Sequence, residues 1–477
     1  ILSDVGCSNR IIFSSSGLTD RLSVERNNNK NFWKASTFIP RELSKIKTID
    51  ILDSLGSNII IQTFQNKIVR ILPKLTAGLN IEWITDKTRF FFDSLVSQRL
   101  KEPMIKQNGH FVPITWEKAF HLIESKKSSI DPSQQKFLVG NLIDIKSLYS
   151  LKNIITSMGV QSVEYTTLYN NATVDGQRIH NYKFMTPLKN FEEVDLCLLV
   201  LCDPRKEGAL LNLNLRTAVN KNNLKILSIG ANVDLTYPVI NLGLSLQILI
   251  HLLEGKHDVC KAILQANTFS ILLGPNVYKI KNYQDVIPLL KKKFMVNLLN
   301  FESGFLNYSE LFKTKPQINN NPQLLFLYNT DNVNIKRSLF NIYIGHHFTQ
   351  NAQESDLILP STTFVEKNSY FKNIEHKFQP SLKALPNLQN SKNDSLIWGL
   401  LILFYEMKPI HLPFNRFFNR LQTATELIPS TKKVETLSFV KSFFKPLIVN
   451  DVRTNILEIN SKTLMKADIR KRPIKIC

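Results

Sequence analysis

Residues 355 to 378 read SDLILPSTTFVEKNSYFKNIEHKF. Leu357, Ile358 and Leu359 form a short apolar run closed by Pro360. Proline has no N–H to extend a sheet ladder, so the run reads as a buried strand that ends in a turn. The polar Ser361, Thr362 and Thr363 follow, then Phe364 to Lys367 as a helical turn or a second loop segment, broken by Asn368 and Ser369. A polar run just past the carboxyl end of a strand is where open α/β sheets place ligands.

On either side the chain alternates strand-like and helix-like segments. Upstream, Ile59-Ile60-Ile61 and Ile68 to Pro73 flank Gln65-Asn66-Lys67, the pattern of a hairpin. Asn108-Gly109 is a turn signal, and Thr115 is placed to cap a helix that starts at Trp116. Phe137 to Asn141 reads as strand into turn and Leu142 to Met158 as helix. Val194 to Cys202, a helix from about Glu207 to Asn220, and Leu224 to Ile229 make a βαβ unit. Further on, Phe269 to Leu273 is expected as strand, Val286 to Leu299 as helix, and Leu324 to Tyr328 and Asn341 to Ile344 as short apolar runs. Leu396 to Phe404 suggests a packed helix, Pro409 and Pro413 break it, and Phe414 to Leu421 resumes.

Several of these segments together resemble the molybdopterin oxidoreductase superfamily, and within it the large iron–sulfur subunits of respiratory complex I. The resemblance rests on Leu359-Pro360, Glu366-Lys367, Asn373, Glu375 and Gln379 near the C-terminal end. It rests also on Ile49 to Asp53, Gly56 to Ile59, Arg70 to Pro73, and Glu82-Trp-Ile-Thr-Asp-Lys-Thr-Arg-Phe90. In the middle, Pro204, Arg205, Glu207, Asn212, Arg216, Val233 to Tyr237 and Leu242-Gly243 match. The chain departs from the pattern where Ser369 and His376 stand in place of Gly, Lys377 in place of Arg, and Asn214 in place of Arg. Glycine permits close backbone approach and positive φ, so losing two argues against a pterin site.

The resemblance implies an α/β, molybdopterin oxidoreductase-like fold with Rossmann-like parallel-sheet domains and a small N-terminal β region. The expected division is an extended arm at 1–47, a β-rich region at 48–112, α/β domains at 113–260 and 261–385, and a helical, irregular part at 386–477. The function implied is that of a structural part of the mitochondrial NADH:ubiquinone oxidoreductase, one piece of a split subunit on the matrix side of the inner membrane. Its partners would be the other peripheral-arm subunits. The alternative is an active molybdopterin enzyme of formate-dehydrogenase type.

Composition bounds the other classes. The 477 residues carry 60 Lys plus Arg against 39 Asp plus Glu, net +21. The basic residues are spread along the chain apart from Lys291-Lys292-Lys293 and Arg470-Lys471-Arg472, a solvated-surface pattern, so no nucleic-acid partner is expected. The longest apolar stretches, such as Trp398 to Tyr405, fall short of the ~20 residues a membrane-spanning helix needs. Cys7, Cys197, Cys202, Cys260 and Cys477 form no CxxC pair. No GxGxxG turn and no GxxxxGK[ST] loop occurs. Adjacent His346 and His347 would point to opposite faces of an extended chain and have no evident third ligand nearby. Arg205 after its strand either holds a phosphate or, the favoured reading, pairs with Glu207 or a neighbouring subunit. The expectation from the sequence is therefore no catalytic, metal or cofactor-binding residue in this chain, with iron–sulfur clusters on a partner domain or chain.

Overall fold

The computed structural model describes residues 7–9, 42–76, 82–166, 184–245, 247–279, 283–299, 303–312, 321–331, 338–404 and 456–461. Nearly all of the expected N-terminal arm, the helix expected at Phe414 to Leu421 and most of the basic tail lie outside these residues.

Strand β1 (Cys7–Asn9) pairs antiparallel with β5 (Trp83–Thr85). Between them, β2 (Ser44–Ile49), β3 (Asn58–Phe64) and β4 (Lys67–Pro73) form an antiparallel sheet. Gln65 and Asn66 both take positive φ in the β3–β4 hairpin, the backbone of the turn that matches strand twist. Alternation does the rest. Ile59, Ile61 and Ile71 are fully buried on one face, at period-two spacing. Asp50 and Asp53 turn the β2–β3 connection by accepting the amides of Leu52 and Leu55 at 2.9 and 3.0 Å.

The principal sheet has seven strands in the order β7-β6-β17-β16-β15-β8-β9. Its parallel part is β8 (Gln135–Val139), β9 (Ser162–Tyr165), β15 (Leu324–Tyr328), β16 (Phe340–Gly345) and β17 (Leu357–Pro360). The hairpin β6 (Met104–Gln107) and β7 (His110–Pro113) adds antiparallel to β17. Continuous apolar strands such as Leu324 to Tyr328 are buried along their whole length, as a sheet covered on both faces requires. Phe137 and Phe326 stack across β8 and β15 with ring centroids 4.3 Å apart. The helix Ile145–Met158 covers one face and the helix Asp394–Phe404 packs on it, placing the fully buried Trp398 near Phe137 and Tyr328.

After β9 the chain builds a second, all-parallel sheet of order β12-β11-β10-β13-β14 before returning to the first. Its strands are β10 (Leu196–Val200), β11 (Lys225–Ile229), β12 (Ile240–Gly243), β13 (Phe269–Leu273) and β14 (Met295–Leu298). One expectation fails here. The helix foreseen over Val286 to Leu299 stops at Lys293, and Met295–Leu298 is instead an edge strand parallel to β13. Its apolar run buries Val296 and Leu298 against the sheet, a tertiary contact that local periodicity does not reveal. The helix foreseen from Leu142 begins at Ile145, where the Asp144 side chain accepts the Ser147 amide as N-cap.

A last hairpin, β18 (Ser369–Lys372) with β19 (Phe378–Ser381), carries the Asn373 to Gln379 signature in its turn and at the start of its second strand.

Candidate functional site

In the principal sheet β9 and β15 lie on opposite sides of β8, so a topological switch point falls between β8 and β15. Ligands of such folds sit in the crevice outside the carboxyl ends of the strands at that point. The residues delivered there are Gly140 and Asn141 after β8, Asn329 and Thr330 after β15, His346 and His347 after β16, and Ser361 to Lys367 after β17.

Two buried ion clusters fill this crest. Lys367 Nζ lies 2.6 Å from Asp144 Oδ2 and also contacts Asp394 Oδ2; all three side chains are almost wholly buried. Burial by itself would lower the Lys367 pKa, but the two carboxylates outweigh it and hold the ammonium above its ordinary value. The carboxyls divide. Burial raises both, yet Lys367 and the Ser147 hydrogen bonds pull Asp144 below its usual range. Asp394, beside the Asp144 charge, stays above its own despite Lys367. Next to this cluster, Arg99 donates from one terminal nitrogen to both Glu366 oxygens at 2.8 Å and from Nε to the His346 carbonyl at 3.2 Å. Glu366 Oε2 also accepts the Thr363 amide at 2.9 Å, closing the 3₁₀ turn Phe364–Glu366.

The histidines face each other rather than a cleft. Their Nδ1 atoms are 2.5 Å apart, and His347 Nε2 stands 3.2 Å from the Ser94 carbonyl. A carbonyl only accepts, so Nε2 of His347 carries its proton, Nδ1 is the acceptor, and His346 Nδ1–H is the donor. Burial first, then the Arg99 charge, depresses His347 to about 3, and burial, then His347, Arg99 and Lys367, take His346 well below its ordinary value.

The Asn373 to Gln379 signature is a clamp. Asn373 Oδ1 accepts the Lys377 amide at 2.8 Å, Ile374 N–H donates to the Ser54 carbonyl at 2.8 Å, and Glu375 Oε1 accepts the Leu188 amide at 2.8 Å. Three remote segments meet there. Gly56, at φ +68°, is approached so closely that a Cβ would lie 2.2 Å from Gln379 Oε1. His376 keeps a positive φ of 64° although it is not glycine. Arg205 pairs with Asp234 (2.9 Å to its carbonyl, 3.2 Å to Oδ2) rather than with Glu207, which motif matching alone did not show.

A pterin-bound metal, which the fold implies, does not suit this crest. Gly140 already abuts the β15 exit, a Cβ there meeting Asn329 O at 2.0 Å, and the ionisable side chains are committed to one another. Among the described residues no group of three or more His, Cys, Asp or Glu side chains is arranged to hold a metal ion.

Comparison with known proteins places these features. Residues 99–402 match the family model for molybdopterin oxidoreductase. Residues 43–93 match the model for the NADH-ubiquinone oxidoreductase NDSU1/NuoG-like 4Fe-4S domain. That second match corrects the expectation that iron–sulfur chemistry belongs wholly outside this chain: a 4Fe-4S domain is detected within it, and iron–sulfur binding is indicated. The matched stretch itself contains neither Cys nor His, so the thiolates a cluster takes lie outside residues 43–93. Cys7, on β1 against Thr85, is on a strand paired with that stretch.

The chain is 30% identical over 473 residues to the NADH-ubiquinone oxidoreductase 75 kDa subunit of Reclinomonas americana, covering 89% of this chain and 68% of that one. It is 30% identical over 433 residues to the mitochondrial 78 kDa subunit of Candida albicans, covering 87% and 59%. It is 33% identical over 392 residues to the 75 kDa subunit of Acanthamoeba castellanii, covering 77% and 56%. The matched part thus spans between 56% and 68% of the length of these three relatives. They support the complex I reading and not the formate-dehydrogenase alternative. The chain belongs to the molybdopterin oxidoreductase family, among the 75 kDa-type subunits of NADH-ubiquinone oxidoreductase.

Proposed function

We propose that this chain serves as the frame of the large subunit of a mitochondrial NADH:ubiquinone oxidoreductase, in the peripheral arm on the matrix side. The observation that carries the reading is the crest at the switch point, where ion pairs such as Lys367 with Asp144 occupy the place in which this fold binds a ligand. A crest built of mutually paired charges holds β8, β17 and the helix Asp394–Phe404 in one arrangement. Rigidity of that kind suits a part that keeps redox groups at fixed separations. Among the described residues no helix is long and apolar enough to cross a membrane, so attachment to the inner membrane would come through other subunits.

Native gel electrophoresis of extract from the source organism, with an in-gel NADH oxidation stain and immunodetection of this chain, tests the proposal. Comigration with a large NADH-oxidising assembly is expected. Migration as a free species, with none in that assembly, would overturn it.

A further inference from the structure

The second sheet has its own switch point, between β10 and β13, and there the chain makes an unusual turn. Leu201, a branched residue, sits at φ +48°. Gly274, following β13, is pressed against it so that a Cβ would lie 2.2 Å from the Leu201 carbonyl oxygen and 2.6 Å from Cys202 Cα. The crevice is thus shut by backbone. Over it the short helix Pro204–Glu207 folds back. Glu207, 4% exposed, accepts the Asp203 amide on Oε2 at 3.0 Å, while Oε1 is buried with no hydrogen-bond partner.

The charges around this carboxyl are unbalanced. On its own element stand Asp203, whose carboxyl is engaged by Lys206 at 3.7 Å, and Arg205, drawn away by Asp234 from the loop after β11. From β10 and its exit come the Cys197 and Cys202 thiols, and the Cys202 thiol interacts with Glu207. Tyr237 approaches those thiols and donates to Asn212 Oδ1 at 2.8 Å from the following helix, Ala209–Asn222. No cation forms an ion pair with Glu207 among the described residues, and the nearest like charge is Asp203.

We propose that the turn Leu201–Glu207 is a proton-operated latch, in which a neutral Glu207 holds the helix Pro204–Glu207 down on the crest of the second sheet and its ionised form releases it. Burial first, then the Asp203 charge, raises the Glu207 carboxyl to about 8, against the opposing pull of the Asp203 amide bond, the Cys202 thiol and the Lys206 charge. Asp203 is shifted the same way by burial. A carboxyl whose pKa is higher closed than open stabilises the closed form fully below its open-state value near 4.5. That stabilisation is then lost as pH rises through the closed-state value. The opening equilibrium therefore grows about tenfold per pH unit between roughly pH 5 and 8 and levels off above.

Hydrogen exchange on the full chain between pH 5.5 and 9, corrected for intrinsic exchange, reads this directly at the amides of Asp203, Lys206, Glu207 and Gly208. All four are hydrogen-bonded within the turn. Their protection is expected to fall about tenfold per pH unit and flatten near pH 8, while amides of β15 and β16 show no such slope. Glu207→Gln, which keeps the size and removes this titration, is expected to abolish the Glu207 part of the slope and leave only the contribution of Asp203. Asp203→Asn, which removes the like charge, is expected to move the plateau to lower pH. A wild-type chain without the slope, or the same slope in Glu207→Gln, would overturn the latch. Should Glu207→Gln fail to fold, an unmoved plateau in Asp203→Asn would overturn it as well.

Discussion

Lys367→Met isolates the central interaction of the crest. The substitution keeps most of the aliphatic volume but removes the cation from between Asp144 and Asp394, whose side chains are 1% and 0% exposed. Removing one partner of a buried ion pair typically costs about 3–5 kcal/mol, because the remaining charge has neither water nor counterion. Two carboxylates are stranded here, so the upper part of that range is expected. The cost should depend on pH in a defined direction. Without Lys367 both folded-state carboxyl pKa values rise above their unfolded value near 3.9, so the lost stability is small near pH 4 and grows as pH rises toward 7. Urea unfolding followed by tryptophan fluorescence, at several pH values, measures both quantities. The triple variant Lys367→Met, Asp144→Asn, Asp394→Asn should recover most of the loss, since asparagine also caps the helix Ile145–Met158. A deficit below about 1 kcal/mol, or one that is constant from pH 4 to 7, would refute the assignment of Lys367 as the buried counterion.

Three further outcomes follow from the same structure. His376→Gly should stabilise the chain by about 1 kcal/mol in urea unfolding, because His376 occupies the left-handed region at φ 64° at the tip of the β18–β19 hairpin. Gly140→Ala should destabilise it by roughly 1–3 kcal/mol, since the added Cβ meets the Asn329 carbonyl rather than a side chain that could swing aside. The histidine pair should sharpen acid unfolding. Both imidazoles are depressed, so their contribution is present above the ordinary value of 6.5 and is lost as pH falls toward about 3. The double variant His346→Gln, His347→Gln should show a shallower loss of stability across that window in acid titration by circular dichroism.

Much of the architecture was legible along the chain because it is written in short-range chemistry. The Leu357–Pro360 strand, the Gln65-Asn66 hairpin turn and the Thr115 cap ahead of Trp116 each depend on residues within a few positions of one another. The helix expected at Val286 to Leu299 failed for the converse reason. Whether Met295–Leu298 continues a helix or joins β13 is decided by a neighbour more than twenty residues away. The family was legible through motifs, and residues 43–93 among them carried the iron–sulfur domain match that a count of cysteines concealed.

By itself, then, the sequence determined the α/β class, the family and the position of the polar run after β17, since these rest on local pattern and motif. What that run does was decided only in three dimensions. Asp144 lies far along the chain from Lys367 and Asp394, and the three become one buried cluster because β15 to β17 return to pair beside β8. A charge is a surface residue or a buried counterion according to what the fold places around it, and no spacing in the chain records that.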